Sequence, residues 1–171
     1  MSEVVVNPYR FVVLPSETCP VTTTDNNARL SDGTDCLGVS VKAGSSMIGK
    51  NVTDFSFWLY RTGTVSGTLS AFAYEAGSDV PDTPISGVNF GTLDASSLSG
   101  SATKTTFTIN TGSVTVSEDT QFGLDFGDGG HSGDVWFNTL LAGNESAKMY
   151  TADYDDDYQT HTQVPKFCYT S

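Results

Sequence analysis

Basic residues are scarce in this chain: eight Lys and Arg stand against 20 Asp and Glu, a formal net charge of −12. A surface this acidic is repelled by phosphate backbones and by anionic lipid headgroups, which argues against nucleic acid and against a membrane as partners. Histidine is as sparse, with only His131 and His161, both in polar stretches. No GxSxG, HExxH or P-loop pattern occurs, and the five glutamates are scattered. Neither an activated nucleophile nor a facing pair of carboxylates is therefore legible, and the chain reads as a non-enzyme without a cofactor. None of the three cysteines, Cys19, Cys36 and Cys168, lies in a CxxC pair, so zinc and thioredoxin-like chemistry lack support. No apolar run reaches the roughly 18 residues of a membrane-spanning helix. The first residues, MSEVVVNPYRFVVLPSE, do not have the basic and then apolar regions of a secretory signal. A sustained helical repeat of apolar residues is missing everywhere.

What the chain does have is alternation. Between Asn51 and Glu75 two strand-like runs flank a turn rich in Gly, Thr and Ser. Successive side chains of a strand point to opposite faces. Read as a hairpin, this stretch puts Phe55, Phe57, Leu59, Leu69, Ala71 and Ala73 on a core face. Trp58, Tyr60, Phe72 and Tyr74 then share the other face. That second face is either covered by another layer or open as a platform on which sugar rings could stack.

Further strand-like runs follow. They are Leu37–Val41, a short Met47–Ile48, Val88–Leu93, Lys104–Asn110, Val114–Val116, Gln121–Phe126, Val135–Leu141, Ala147–Ala152 and Pro165–Thr170. Gly, Asn, Asp and Ser separate them, and Pro81 and Pro84 bar a regular strand after Gly77. About nine or ten strands suit a sandwich or jelly roll of this length. The expected fold is all-β, an antiparallel β-sandwich of jelly-roll type over residues 35–171.

Residues 1–34 differ from this body. Val4, Val5 and Val6 form one short apolar run, and Tyr9, Phe11 and Val13 belong to a second, with Pro8 between them and Pro15 after. Proline confines such runs to extended or edge segments. An arm this apolar is an aggregation hazard when bare, so it is expected to pack on the sandwich or on a neighbouring copy.

Two features allow for cross-links or ions. An odd number of cysteines leaves at least one thiol unpaired within the chain. A Cys36–Cys168 bridge would tie the first core strand to the last, a Cys19–Cys36 bridge would pin the N-terminal segment, and three reduced thiols remain open. Asp153, Asp155 and Asp157 alternate in ADYDDDYQ and could supply several of the roughly six to eight oxygens calcium takes. The EF-hand pattern is absent, and a solvated acidic turn is the simpler account of the run.

The runs GKNVTDFSFWLYRTGTVSGTLSAFAYEAGSDVPDTP, TLDASSLSGS and TTFTINTGSVTVSEDTQFGLDF resemble a recurrent jelly-roll module. Over roughly residues 36–152 the chain resembles choice-of-anchor and carbohydrate-binding-module-like domains. Those domains occur in phage fibre, capsid-associated and prokaryotic surface proteins. The resemblance carries no diagnostic catalytic residue. It implies a structural or decorating protein of a virion or an extracellular surface, in contact with its own copies and other virion or surface proteins. A module that binds surface glycans is the alternative.

Overall fold

The computed structural model describes residues 15–22, 24, 26–30, 36–74, 85–112, 114–126, 132–140, 149–154 and 164–171. The described residues form fourteen strands and one short 3-10 turn, Ala95–Ser97. In chain order the strands are β1 (Glu17–Val21), β2 (Asn26–Leu30), β3 (Cys36–Val41), β4 (Asn51–Val52), β5 (Asp54–Ser66), β6 (Thr68–Tyr74) and β7 (Thr92–Asp94). They continue with β8 (Thr103–Thr108), β9 (Val114–Thr115), β10 (Gln121–Asp125), β11 (Ser132–Leu140), β12 (Met149–Tyr154), β13 (Val164–Pro165) and β14 (Phe167–Thr170).

Two antiparallel sheets make the sandwich. The larger runs β1-β14-β5-β11-β13, with β2 also on β11 and β8 also on β5; the smaller runs β12-β3-β10-β6-β7. β5 is the longest strand, and its alternation supplies the reason for the layers. Phe55, Phe57 and Leu59 are fully buried. From the five-stranded sheet, Leu69, Ala71, Phe122, Leu124, Leu37 and Val39 enter the same core. The ring of Phe55 lies 4.8 Å from that of Phe90 and 5.5 Å from those of Phe57, Phe107 and Phe122. Offset and edge contacts of this kind add to the gain from burying the rings themselves.

The stretch Asn51–Glu75 is not a hairpin. β5 pairs with β14, β8 and β11, whereas β6 pairs with β10 and β7. A single residue separates β5 from β6. It is Gly67, at φ 116, a conformation that side-chain-bearing residues avoid. The chain therefore crosses from one sheet to the other there, and the two runs face each other through the core. Met47–Ile48 is likewise no strand but a turn that drops Met47 into the core, with the Met47 N–H donating to Ser45 Oγ at 3.3 Å. Of the Val88–Leu93 run only its end belongs to a strand, β7, although Asn89 bridges Thr111.

Residues 17–30 supply two strands of the seven-stranded sheet: β1 lies on β14 and β2 on β11. Val21 and Leu30 close these strands inside the core. Val4, Val5, Val6, Tyr9, Phe11 and Val13 lie outside the described residues. Cys19 of β1 is bonded to Cys168 of β14. This corrects the Cys36–Cys168 expectation, and the sheet order gives the reason. Cys36 belongs to β3 in the five-stranded sheet, whereas Cys168 sits beside β1 in the other.

Two outcomes are expected. In unreduced, denatured protein, alkylation followed by peptide mapping should find Cys36 modified and Cys19 joined to Cys168. The bridge spans 149 residues. On the chain-entropy account a loop this long confers about 5 kcal/mol, so Cys168→Ala should lower the unfolding free energy by a few kcal/mol. Modified Cys19 in the map would refute the assignment.

Gly38 of β3 lies opposite Gly123 of β10. A Cβ built on Gly38 would come 2.0 Å from the Phe122 carbonyl oxygen and 2.5 Å from the Gly123 Cα. Backbone cannot yield as a side chain can, so Gly38→Ala should destabilise by about 1–3 kcal/mol or more in denaturant titration. A change under about 0.5 kcal/mol, the range of ordinary surface substitutions, would show that the strands separate freely at that point.

Candidate functional site

Because β5 and β6 lie in different sheets, the four aromatics read as one face are divided. Trp58 and Tyr60 lie on the outer face of the seven-stranded sheet, whereas Phe72 and Tyr74 lie on the outer face of the other. Phe72 is half-buried and Tyr74 is buried, with their rings 5.7 Å apart. They form no common platform with Trp58.

A different group of residues completes the face around Trp58 and Tyr60. Alternation in β11 buries Val135 and Phe137 and turns Asp134, Trp136 and Asn138 outward. In register, Trp136 lies between Tyr60 on one side and Arg29 on the other. The Tyr60 and Trp136 rings stack with centres 6.2 Å apart and planes 18° from parallel. Trp136 Nε1 donates to Thr62 Oγ1 at 3.1 Å, and Asn138 Nδ2 donates to Asn27 Oδ1 at 2.8 Å. One register step along, Trp58 lies opposite Lys104. The Lys166 ammonium lies 4.1 Å from the centre of the Trp58 ring, and that of Lys104 lies 5.8 Å away. Trp58, Tyr60 and Trp136 are all half-buried.

The charges on this face nearly balance. Arg29 meets Asp134 at 3.7 Å, and Lys104 is paired with Glu17. Lys166 lies against the Trp58 π-system, an electrostatic attraction to the ring quadrupole. The face thus joins flat aromatic surface to paired ions within a chain of net charge −12. It offers contact area and hydrogen bonds.

The acidic residues form no comparable cluster among the described residues. Asp153 stands in β12 opposite Leu37, and Asp155 and Asp157 lie outside the described residues. One grouping has metal-ligand chemistry, Glu17 with Cys19 and Cys168. The disulfide occupies both sulfurs and leaves only the carboxylate. Asp94 caps the 3-10 turn, and side-chain and backbone hydrogen bonds from Ser96 hold its carboxyl below the usual range. No described helix is long and apolar enough to cross a membrane.

Trp136 and the flanking Arg29, Lys104 and Lys166 were not singled out by sequence reasoning. The signal for Trp136 was available, since its run alternates as clearly as that of β5. The cations could not be found in that way, because Lys166 reaches Trp58 only through the register of β14 on β5. No protein-family profile, curated protein or solved structure matches the chain.

A double-mutant cycle on Trp58→Leu and Lys166→Ala should return a coupling of about 0.5–1 kcal/mol, the range for a cation over an aromatic ring at a partly exposed site. Strictly additive unfolding free energies would mean that the ammonium does not rest on the ring in solution.

Proposed function

We propose that this chain is a non-enzymatic structural or decorating protein of a virus particle or a comparable extracellular surface. It acts through contacts with copies of itself and with other surface proteins, as a jelly-roll-like module. The observation that carries this reading is the charge-balanced aromatic face of Trp58, Tyr60 and Trp136 on an otherwise acidic chain. Two molecules of net charge −12 repel each other over most of their surfaces. Where the ions are already paired, approach is least opposed, and Trp, Tyr and Arg are the residues that protein interfaces concentrate. The Cys19–Cys168 bridge supports an oxidising, extracellular setting.

Glycan binding is the second reading, and the Tyr60–Trp136 stack beside the Asn27 and Asn138 amides favours it. Lys166 weighs the other way, because it takes up a face of the Trp58 ring on which a sugar would stack.

The test is Tyr60→Ala with Trp136→Ala, followed by sedimentation across a concentration series and by a glycan array. Loss of a central aromatic pair should weaken self-association by about tenfold or more, with no glycan bound by the parent. A parent protein that binds glycans, and loses them in the variant, would put the second reading first.

A further inference from the structure

The pairing of β1 with β14 gathers three metal-ligating side chains at one point of the larger sheet. Thr18 stands opposite Tyr169 and Val21 opposite Phe167, so Cys19 and Pro20 share the single partner Cys168. A bulge of this kind re-aims side chains, and a proline, which has no N–H for the ladder, fits within one. Glu17 lies two residues before Cys19, the spacing that keeps side chains on one face of a strand. A carboxylate oxygen of Glu17 and the sulfurs of Cys19 and Cys168 all lie within 4.8 Å of one another. In a tetrahedral zinc site, with Zn–S of about 2.3 Å and Zn–O of about 2.0–2.2 Å, the donors stand about 3.6–3.8 Å apart. The Cα atoms of the two cysteines are 4.1 Å apart, so the sulfurs can reach that separation by side-chain rotation once the bridge is open. β1 does not depend on the bridge alone to stay in place. Val21 is buried in the core, and Glu17 is paired with Lys104 of β8.

We infer that the reduced chain binds one divalent cation of the zinc class through Glu17, Cys19 and Cys168, and that formation of the Cys19–Cys168 bridge expels it. Two molecules of a small thiol supply the two electrons and two protons that open the bridge. The sulfur–sulfur bond breaks, both cysteines become thiols, and the small thiols leave joined as a disulfide. The cation then displaces the two thiol protons, because the thiolate is the ligand form. In the reverse direction a small disulfide takes up the two electrons, the bridge re-forms and the ion loses both sulfurs. Donor chemistry selects the ion: two thiolates favour a soft or borderline cation over calcium or magnesium. Two thiolates and a carboxylate set three negative charges against two positive ones, and the Lys104 ammonium on Glu17 offsets the remaining one. Cys19 is half-buried and Glu17 exposed, so the fourth coordination position opens to water. The net charge of −12 favours cations in general. In a reducing compartment the ion holds the two thiols together and keeps either from pairing with Cys36; in an oxidising one the bridge replaces it.

The experiment uses the full chain, reduced with a phosphine under native conditions and then freed of it. Titration with Zn²⁺, followed by calorimetry, and with Cd²⁺, followed by thiolate-to-metal charge-transfer absorption, should each give one ion per chain. The bridged chain should show no charge-transfer band. Cys168→Ser should lose binding, Glu17→Gln should weaken it by about tenfold or more, and Cys36→Ser should bind as the parent does. Adding a small disulfide to the zinc-loaded protein should release one zinc per chain to a chromophoric indicator as the bridge forms. Where reduction unfolds the chain, zinc should restore the near-ultraviolet circular dichroism of the bridged form, since an ion held only by the folded state stabilises it. A reduced chain that neither binds zinc nor refolds with it would overturn the inference. So would binding that survives in Cys168→Ser, binding lost in Cys36→Ser, or equal zinc affinity with the bridge open and closed. An unchanged affinity in Glu17→Gln would strike the carboxylate from the ligand set and overturn the three-ligand site.

Discussion

One strand cannot bury both of its faces in the same layer, and β5 sets the terms for the rest of the molecule through that constraint. Committing Phe55, Phe57 and Leu59 to the core forces Trp58 and Tyr60 to the outside. Burying a large aromatic side chain is worth about 1.5–3 kcal/mol, so a one-residue slip of β5 would forfeit several such gains together. The register is therefore rigid, and the outer face inherits that rigidity. Tyr60, Trp136 and Arg29 share a row because their inward neighbours Leu59, Phe137 and Ala28 pack beneath them. The candidate site is a by-product of core packing, and it is pre-organised for the same reason.

Charge acts on a longer length scale. The chain is acidic enough to keep molecules apart, yet three of its eight basic residues, Arg29, Lys104 and Lys166, gather on one face. Two of them meet Asp134 and Glu17, and such exposed pairs contribute little to stability. Their effect is on approach: they leave a region where neither partner's field opposes contact.

Much of the fold was legible because alternation survives in a single sequence. Lys104–Asn110, Gln121–Phe126 and Val135–Leu141 announce β8, β10 and β11 through residues that must alternate wherever one face is buried. Pairing was not legible, for it depends on which strands meet in space. Asn51–Glu75 looks like a hairpin, since a Gly-rich turn joins two apolar runs, but the partners that β5 needs arrive from residues 103–108, 132–137 and 167–170. The same gap misdirected the aromatic face: Trp58 and Phe72 have matching phases along the chain and opposite outer surfaces in space. Cysteine connectivity was not legible for a related reason, because Cys19 and Cys168 are neighbours only through the pairing of β1 with β14.

The Cys19–Cys168 bridge has a mechanical meaning. It joins the strand at the start of the fold to the strand at its end, across 149 residues of sequence. Tension applied to the two ends of the chain passes from one to the other through the sulfur–sulfur bond and bypasses the hydrogen bonds between strands. While the bridge holds, the chain between Cys19 and Cys168 cannot be drawn out by such a pull. That segment is shielded from the load, so a tether entering at β1 or leaving at β14 meets a domain of fixed length.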